Sequence, residues 1–280
     1  MKNDFFTLGG TQFWEDLFFY QDWRIQRNCV SGKCRLLDNL NIRRYEGSFD
    51  ECRKVFTDYA EAYELPKQNK NAVIMIHSIG QSKNFFKTMR RRIINDDYLP
   101  VTVNYPSSQK SLKEHTNQFH FFLDHLEDVE RISFVTFGAG STIVQELFKE
   151  QAPWQSKLNV ERCVFINPFV TGNKIIENLY KNEFVKFVIG PMGGDLSTEN
   201  IKKLKPLQNV ETGVILTDSS IWGKLLEVLT FSAKDTSSYD EIKRATGAKK
   251  VFNLPCSNIN VLKNKKIYDA IMSFLLKGKF

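Results

Sequence analysis

The 280-residue chain has only four histidines and five cysteines. The cysteines, Cys29, Cys34, Cys52, Cys163 and Cys256, are odd in number, scattered and without a C-x-x-C pair, which excludes a disulfide framework and a zinc site of the usual spacing. His115, His120 and His125 recur at a five-residue step, about 500° of helical rotation each time, so on a helix they spread around it instead of converging on a metal. Neither a metal ion nor a cofactor is implied. No stretch approaches the roughly 20 consecutive apolar residues of a membrane span. The start, Met1-Lys-Asn-Asp-Phe-Phe followed by Glu15 and Asp16, lacks the apolar core of a secretion signal. The expectation is a soluble, cytoplasmic protein with no membrane span, and no internal repeat is visible.

What the chain does have is ordinary for a folded protein: 42% hydrophobic and 25% charged residues, over a length that accommodates one large α/β domain with an appendage. The net charge of +7, from 39 basic and 32 acidic residues, is concentrated at Arg90–Arg92, Lys202–Lys205 and Lys263–Lys266. A nucleic-acid surface needs such runs on one face with a recognisable motif, and no motif is present. They read as solvated faces, and a mildly basic surface suits an acidic protein partner.

Residues 1–70 read as an extension made of short strands and a helix, packed on the rest. Phe5, Phe6, Phe13, Trp14, Phe18, Phe19, Tyr20 and Trp23 crowd its beginning, which predicts either self-coverage or a partner-binding patch. Trp23–Asn28 and Cys34–Leu37 flank Ser31-Gly32 as a hairpin or pair of strands. Ser48-Phe-Asp-Glu51 is a capping box opening a helix that ends near Leu65-Pro66. From residue 71 to 280, apolar runs alternate with helical patterns: Ala72–Ile76, a helix over 82–95, Leu99–Pro106, a helix over 111–126, Cys163–Ile166, Gly213–Leu216, Val251–Leu254 and a last helix over 265–276. Continuous apolar strands between helices predict a mostly parallel, doubly wound sheet.

At the centre lies Arg131-Ile-Ser-Phe-Val-Thr-Phe-Gly-Ala-Gly-Ser-Thr-Ile-Val-Gln-Glu-Leu-Phe148, a strand, a tight glycine turn and a helix. Together with His77-Ser-Ile-Gly80, Val103-Asn-Tyr-Pro-Ser107, Asn167-Pro168, Gly190-Pro191 and the closing Phe274-Leu-Leu-Lys-Gly-Lys-Phe280, this order resembles bacterial lipase-like α/β-hydrolases over about residues 70–280. The resemblance implies an α/β-hydrolase sheet whose first strand ends in an H-G-x-G oxyanion loop, placed here at His77, Ser78 and Ile79. Its nucleophile elbow, G-H-S-x-G-G in the family, falls on Thr136–Ser141 and puts Gly138 at the apex. The triad acid falls on Asp235 and the triad histidine on Asn258. Glycine cannot attack a carbonyl and asparagine cannot exchange a proton near neutral pH, so both steps of acyl transfer lose their group.

Two readings follow. The favoured one is a catalytically inactive member of the fold, a pseudoenzyme that serves as a binding or scaffold subunit of a bacterial multiprotein assembly through its aromatic N-terminal segment or basic surface. The other is a divergent esterase or lipase whose nucleophile stands elsewhere; Ser141 is near the turn but about one helical turn beyond the apex. A phosphate held at the helix N-terminus by Gly138–Thr142 is a weaker third reading, because the glycine pattern of neither dinucleotide nor P-loop sites is complete.

Overall fold

The computed structural model describes residues 10–170, 177–178, 180–217, 238–256 and 258–280. The aromatic-rich beginning builds an antiparallel four-stranded sheet in the order β1 (Trp14–Tyr20), β2 (Trp23–Asn28), β3 (Cys34–Leu37) and β4 (Arg43–Gly47). Gln21 and Asp22, at φ 46° and 67°, form the two-residue turn between β1 and β2, the backbone hand that matches strand twist in a tight hairpin. Helix α1 (Phe49–Ala62) begins at the expected capping box: the Glu51 N–H donates to Ser48 Oγ at 3.2 Å, and the Ser48 N–H donates to Glu51 Oε2 at 2.7 Å. Its Phe56 lies against Phe18 and Trp23, with ring centroids 4.9 and 5.9 Å apart. Leu17, Phe18, Trp23, Ile25 and Cys52 complete this core. The described aromatics of the segment are thus largely covered by the chain's own packing.

The rest alternates strand and helix: β5 (Asn71–Ile76), α2 (Lys87–Ile93), β6 (Leu99–Thr102), α3 (Leu112–Asp124), β7 (Arg131–Phe137), α4 (Gly140–Leu147), β8 (Asn159–Ile166), α5 (Glu183–Ile189), β9 (Glu211–Thr217), α6 (Tyr239–Thr246), β10 (Lys250–Leu254) and α7 (Lys265–Lys277). The helix expected over 82–95 is divided, with 3-10 turns at Lys83–Phe86 and Ile94–Asp96 on either side of α2. The six later strands form an all-parallel sheet in the order β10-β9-β8-β7-β5-β6. Successive strand residues alternate between two cores. Ile74, Ile76, Phe134 and Phe165 pack with Phe119 and Ile143 on one face, while Val73, Met75, Val135, Phe137 and Val164 pack with Met89, Ile271 and Phe274 on the other. Chain order reverses between β5 and β7, and in such sheets the crevice beyond the strands' carboxyl ends at that point is where ligands sit. No helix among the described residues is long and apolar enough to cross a membrane.

The two sheets meet at buried Asp16. Its Oδ2 accepts from Arg24 Nη1 at 2.5 Å and from the Asn104 N–H at 2.8 Å, and its Oδ1 accepts from Gln26 Nε2 at 2.6 Å. The Asp16 N–H donates to the Asn104 carbonyl at 2.9 Å, and Arg24 also donates to the Thr102 carbonyl at 3.0 Å. Gln118 on α3 ties the two segments by donating to the Asp16 and Asn104 carbonyls, each at 3.0 Å. Both Asp16 carboxylate oxygens are paired, the condition under which a buried ion pair is tolerated, while the side-chain oxygens of Asn104 and Gln118 beside it are buried without a hydrogen-bond partner.

Candidate active site

β7 enters the turn with Gly138 at φ 52°, the left-handed region, and its N–H donates to the Ile166 carbonyl at 2.9 Å. A Cβ at position 138 would lie 2.5 Å from Ser78 Oγ and 3.0 Å from Ser78 Cβ, inside van der Waals contact. Gly140 is required for a different reason: a Cβ there would lie 2.5 Å from the Ile76 carbonyl oxygen, so only glycine lets α4 start this close to the end of β5. The strand, the left-handed turn at Gly138 and the helix have the layout expected of a nucleophile elbow, with glycine at the position where the resemblance puts the nucleophile.

Ser78 fills the space at the apex. Its Oγ accepts the Ala139 N–H at 3.1 Å, and in this fold the N–H after the nucleophile is one of the donors to the oxyanion. The Ser78 N–H donates to Gln81 Oε1 at 3.1 Å, and the Gly80 N–H donates to Ser107 Oγ at 3.2 Å. Ile79 turns its side chain into the core. In the sequence, Ser78 and Gly138 are two separate departures from the α/β-hydrolase pattern that the chain resembles. In space the two positions meet: the Ser78 side chain occupies the place that a side chain at 138 would take. Beside them Phe169 lies 3.7 Å from the position of the absent Cβ.

Ser141 is fully buried, and its Oγ donates to the Gly138 carbonyl at 2.8 Å, a bond within the first helical turn that occupies the hydroxyl proton. Asp235 lies outside the described residues. Asn258 opens a 3-10 helix (Asn258–Lys263), and its side chain also lies outside what is described.

The nearest histidine to the turn is His77, fully buried and stacked on Tyr105 at 4.2 Å between centroids. Its Nδ1–H donates to the Ser78 carbonyl at 2.8 Å, while Tyr105 Oη donates to the His77 carbonyl at 2.5 Å. Burial lowers the His77 pKa to about 4, with smaller opposing contributions from the Ser78 hydrogen bond and Asp16. His115 meets the Tyr105 ring edge-on at 4.8 Å. Neither of its ring nitrogens has a hydrogen bond of normal geometry, although a Lys110 backbone group lies close enough to favour the charged ring slightly. Burial first, then the charges of Lys110 and His77, lower its pKa to about 3. Both rings are neutral at pH 7, and with Nδ1–H bonded to a carbonyl the basic nitrogen of His77 is Nε2, which is buried and reaches neither the Ser78 hydroxyl nor any other partner. His120 accepts from Trp154 Nε1 at 2.9 Å and His125 Nδ1 lies 2.7 Å from the Phe121 carbonyl, so the three histidines at five-residue spacing face different neighbours. Among the described residues no group of three or more histidine, cysteine, aspartate or glutamate side chains is placed to hold a metal.

No protein-family model and no curated protein matches the sequence. Solved structures do match. The mature lipase BlEst2 of Bacillus licheniformis is similar with a TM-score of 0.53 at 12% identity, covering 78% of this chain and 95% of that one. The esterase EaEST from Exiguobacterium antarcticum is similar with a TM-score of 0.50 at 11% identity, covering 75% and 93%. Polyneuridine aldehyde esterase is similar with a TM-score of 0.50 at 8% identity, covering 74% and 100%. At such identities the likeness speaks for architecture, and it agrees with the six-stranded parallel sheet and the turn at Gly138: the chain has an α/β-hydrolase fold, related in structure to esterases and lipases.

Proposed function

We propose that this protein is a catalytically inactive α/β-hydrolase-fold protein of the cytoplasm that works as a binding or scaffold subunit of a bacterial multiprotein assembly. The observation that carries the reading is the arrangement at the elbow: Gly138 offers no nucleophile, and the Ser78 hydroxyl accepts the N–H of Ala139 that an oxyanion would need. Acyl transfer requires an exposed nucleophile, a base within hydrogen-bond reach of it and empty oxyanion donors. Ser141 is bonded inside its own helix, and the basic nitrogen of His77, Nε2, has no hydrogen-bond partner, so no serine hydroxyl lies within its reach. For the contact surface, the packing of Phe18 and Trp23 into the chain's own core shifts weight from the aromatic segment to the basic side chains.

The test pairs chemistry with recovery. Hydrolysis of p-nitrophenyl acetate and octanoate is measured for the wild type, Ser78→Ala and Ser141→Ala, each with folding checked by circular dichroism. All three are expected to match the buffer rate. Turnover in the wild type that either substitution abolishes would replace this reading with that of a divergent esterase. Tagged protein purified from its native cells is expected to bring down a stoichiometric partner that high salt releases, and recovery of the chain alone counts against the scaffold role.

A further inference from the structure

A cleft of about 510 Å³ lies away from the elbow, between the open face of β2 and β3 and the segment that carries Lys83, Lys87 and Arg90. Five cations line it: Arg24, Arg35, Lys83, Lys87 and Arg90. Two of them are neutralised, Arg24 by buried Asp16 and Arg90 by Asp22, each at 2.5 Å. The remaining three of the five, Arg35, Lys83 and Lys87, form no salt bridge among the described residues. Arg35 is fixed in place: its Nε and Nη2 donate to the neutral Gln26 Oε1 at 3.0 and 2.7 Å, and its guanidinium lies 3.6 Å from the centre of the Trp14 ring. Lys83 reaches only an amide, Asn41 Oδ1, at 3.5 Å. Burial lowers the pKa of both Arg35 and Lys83, that of Lys83 to about 8, which leaves Lys83 mostly charged at pH 7. Holding like charges together in a partly dehydrated cavity costs free energy that an incoming anion offsets.

We propose that this cleft is a binding site for a small phosphate ester with a polar body, a sugar phosphate or a nucleotide. A guanidinium held on one edge and two ammonium groups without a carboxylate partner suit the oxygens of a phosphate. The rest of the lining is mostly amide and hydroxyl, including Asn39, Asn84 and Asn104, with Trp14 and Leu37 as its apolar members. That composition matches hydroxyl groups and ring nitrogens and disfavours an acyl chain. The volume is within the range of small-ligand pockets. The site shares no residue with the elbow, so it stands whether or not hydrolysis is lost.

Isothermal titration calorimetry on the full chain tests it with ATP, glucose 6-phosphate and inorganic pyrophosphate, and with adenosine and glucose as uncharged controls. One ester is expected to bind at one site while its uncharged control does not, and which ester binds separates the nucleotide from the sugar phosphate. Lys83→Gln and Arg35→Gln are each expected to weaken binding about tenfold, the loss of one charge-assisted contact. Lys87→Gln, an exposed substitution that spares folding, is expected to act in the same direction, and Lys202→Gln, remote from the cleft, is expected to change nothing. Absence of binding by both esters at millimolar concentration overturns the proposal. So does equal weakening by Lys202→Gln, and so does pyrophosphate binding that neither ester improves on.

Discussion

Adding a single methyl group at Gly138 tests whether Ser78 and Gly138 act as one unit. Alanine at position 138 must adopt a φ near 52°, where a side chain costs about 1–2 kcal/mol. Its Cβ also meets Ser78 Oγ at 2.5 Å and Ser78 Cβ at 3.0 Å. Rotating the hydroxyl relieves the first contact and breaks its bond to Ala139, worth about 0.5–1.5 kcal/mol, while the second contact remains. Gly138→Ala alone should therefore cost about 2–4 kcal/mol. Ser78→Gly alone loses the same hydrogen bond and adds glycine's chain entropy, about 1–2 kcal/mol together. In the double variant the bond is already gone and the contact disappears, so the two costs should fall short of additivity by about 1–2 kcal/mol. Equilibrium urea unfolding of the four proteins, compared at unchanged m-value, measures that coupling. Additivity within about 0.5 kcal/mol would show that Ser78 does not occupy the apex space, and the structural case for an internally filled site would fail with it.

Other expectations are more direct. Asp16→Ala strands Arg24 in a buried position and removes the acceptor for Gln26 and the Asn104 N–H, so urea unfolding should report a loss of about 3–5 kcal/mol. His77 and His115 are buried with pKa values held near 4 and 3, below the ordinary 6.5, so the unfolded chain takes up protons first as the medium is acidified. Their contribution to stability is intact above pH 6.5 and is lost as pH falls from there toward 4, by up to about 1.4 kcal/mol per pH unit for each ring. Melting profiles between pH 7.5 and 4.5 should show this slope, and His115→Phe should flatten it; an unchanged slope would remove His115 from the account. Phe56→Ala empties the centre of the ring cluster under β1 and β2 and should cost about 3–5 kcal/mol by chemical denaturation, while a cost below 1 kcal/mol would mean that the cluster closes over the gap.

The strands of the parallel sheet are legible because both of their faces are buried: Ala72–Ile76 and Cys163–Ile166 read as unbroken apolar runs. β1 is not legible in the same way. Its Glu15 and Asp16 are fully buried and held by Lys110 and Arg27, and by Arg24 and Gln26, so the residues that look most like a loop are the best-anchored part of the strand. β4 carries one apolar residue, Tyr45, between exposed Arg43, Arg44 and Glu46, too little for a pattern, and its place is set by that ring's packing and by backbone pairing to β3. At the elbow, motif order locates Gly138, and a glycine there is explicable from the backbone of the turn alone. The contact that explains the turn joins positions 78 and 139, far apart in the chain, and pattern along the chain cannot report it. The cleft is harder still to read: its cations come from the strands of one sheet and the segment beside the edge of the other, and none of Arg24, Arg35 or Lys83 belongs to a basic run.

The contacts around Asp16 also bear on how this molecule behaves toward its own copies. β6 is the last strand of the parallel sheet on its side, and a bare outer edge of that kind is a template for another chain. Here Pro100 carries no N–H, the Thr102 carbonyl is taken by Arg24, and just past the strand both backbone groups of Asn104 are taken by Asp16. The opposite edge strand, β10, starts with exposed Lys250, a charge that discourages pairing. The four-stranded sheet thus works as a cover on a growth point, and a chain shortened to begin at Asn71 would keep every strand of the parallel sheet yet acquire a sticky rim along β6.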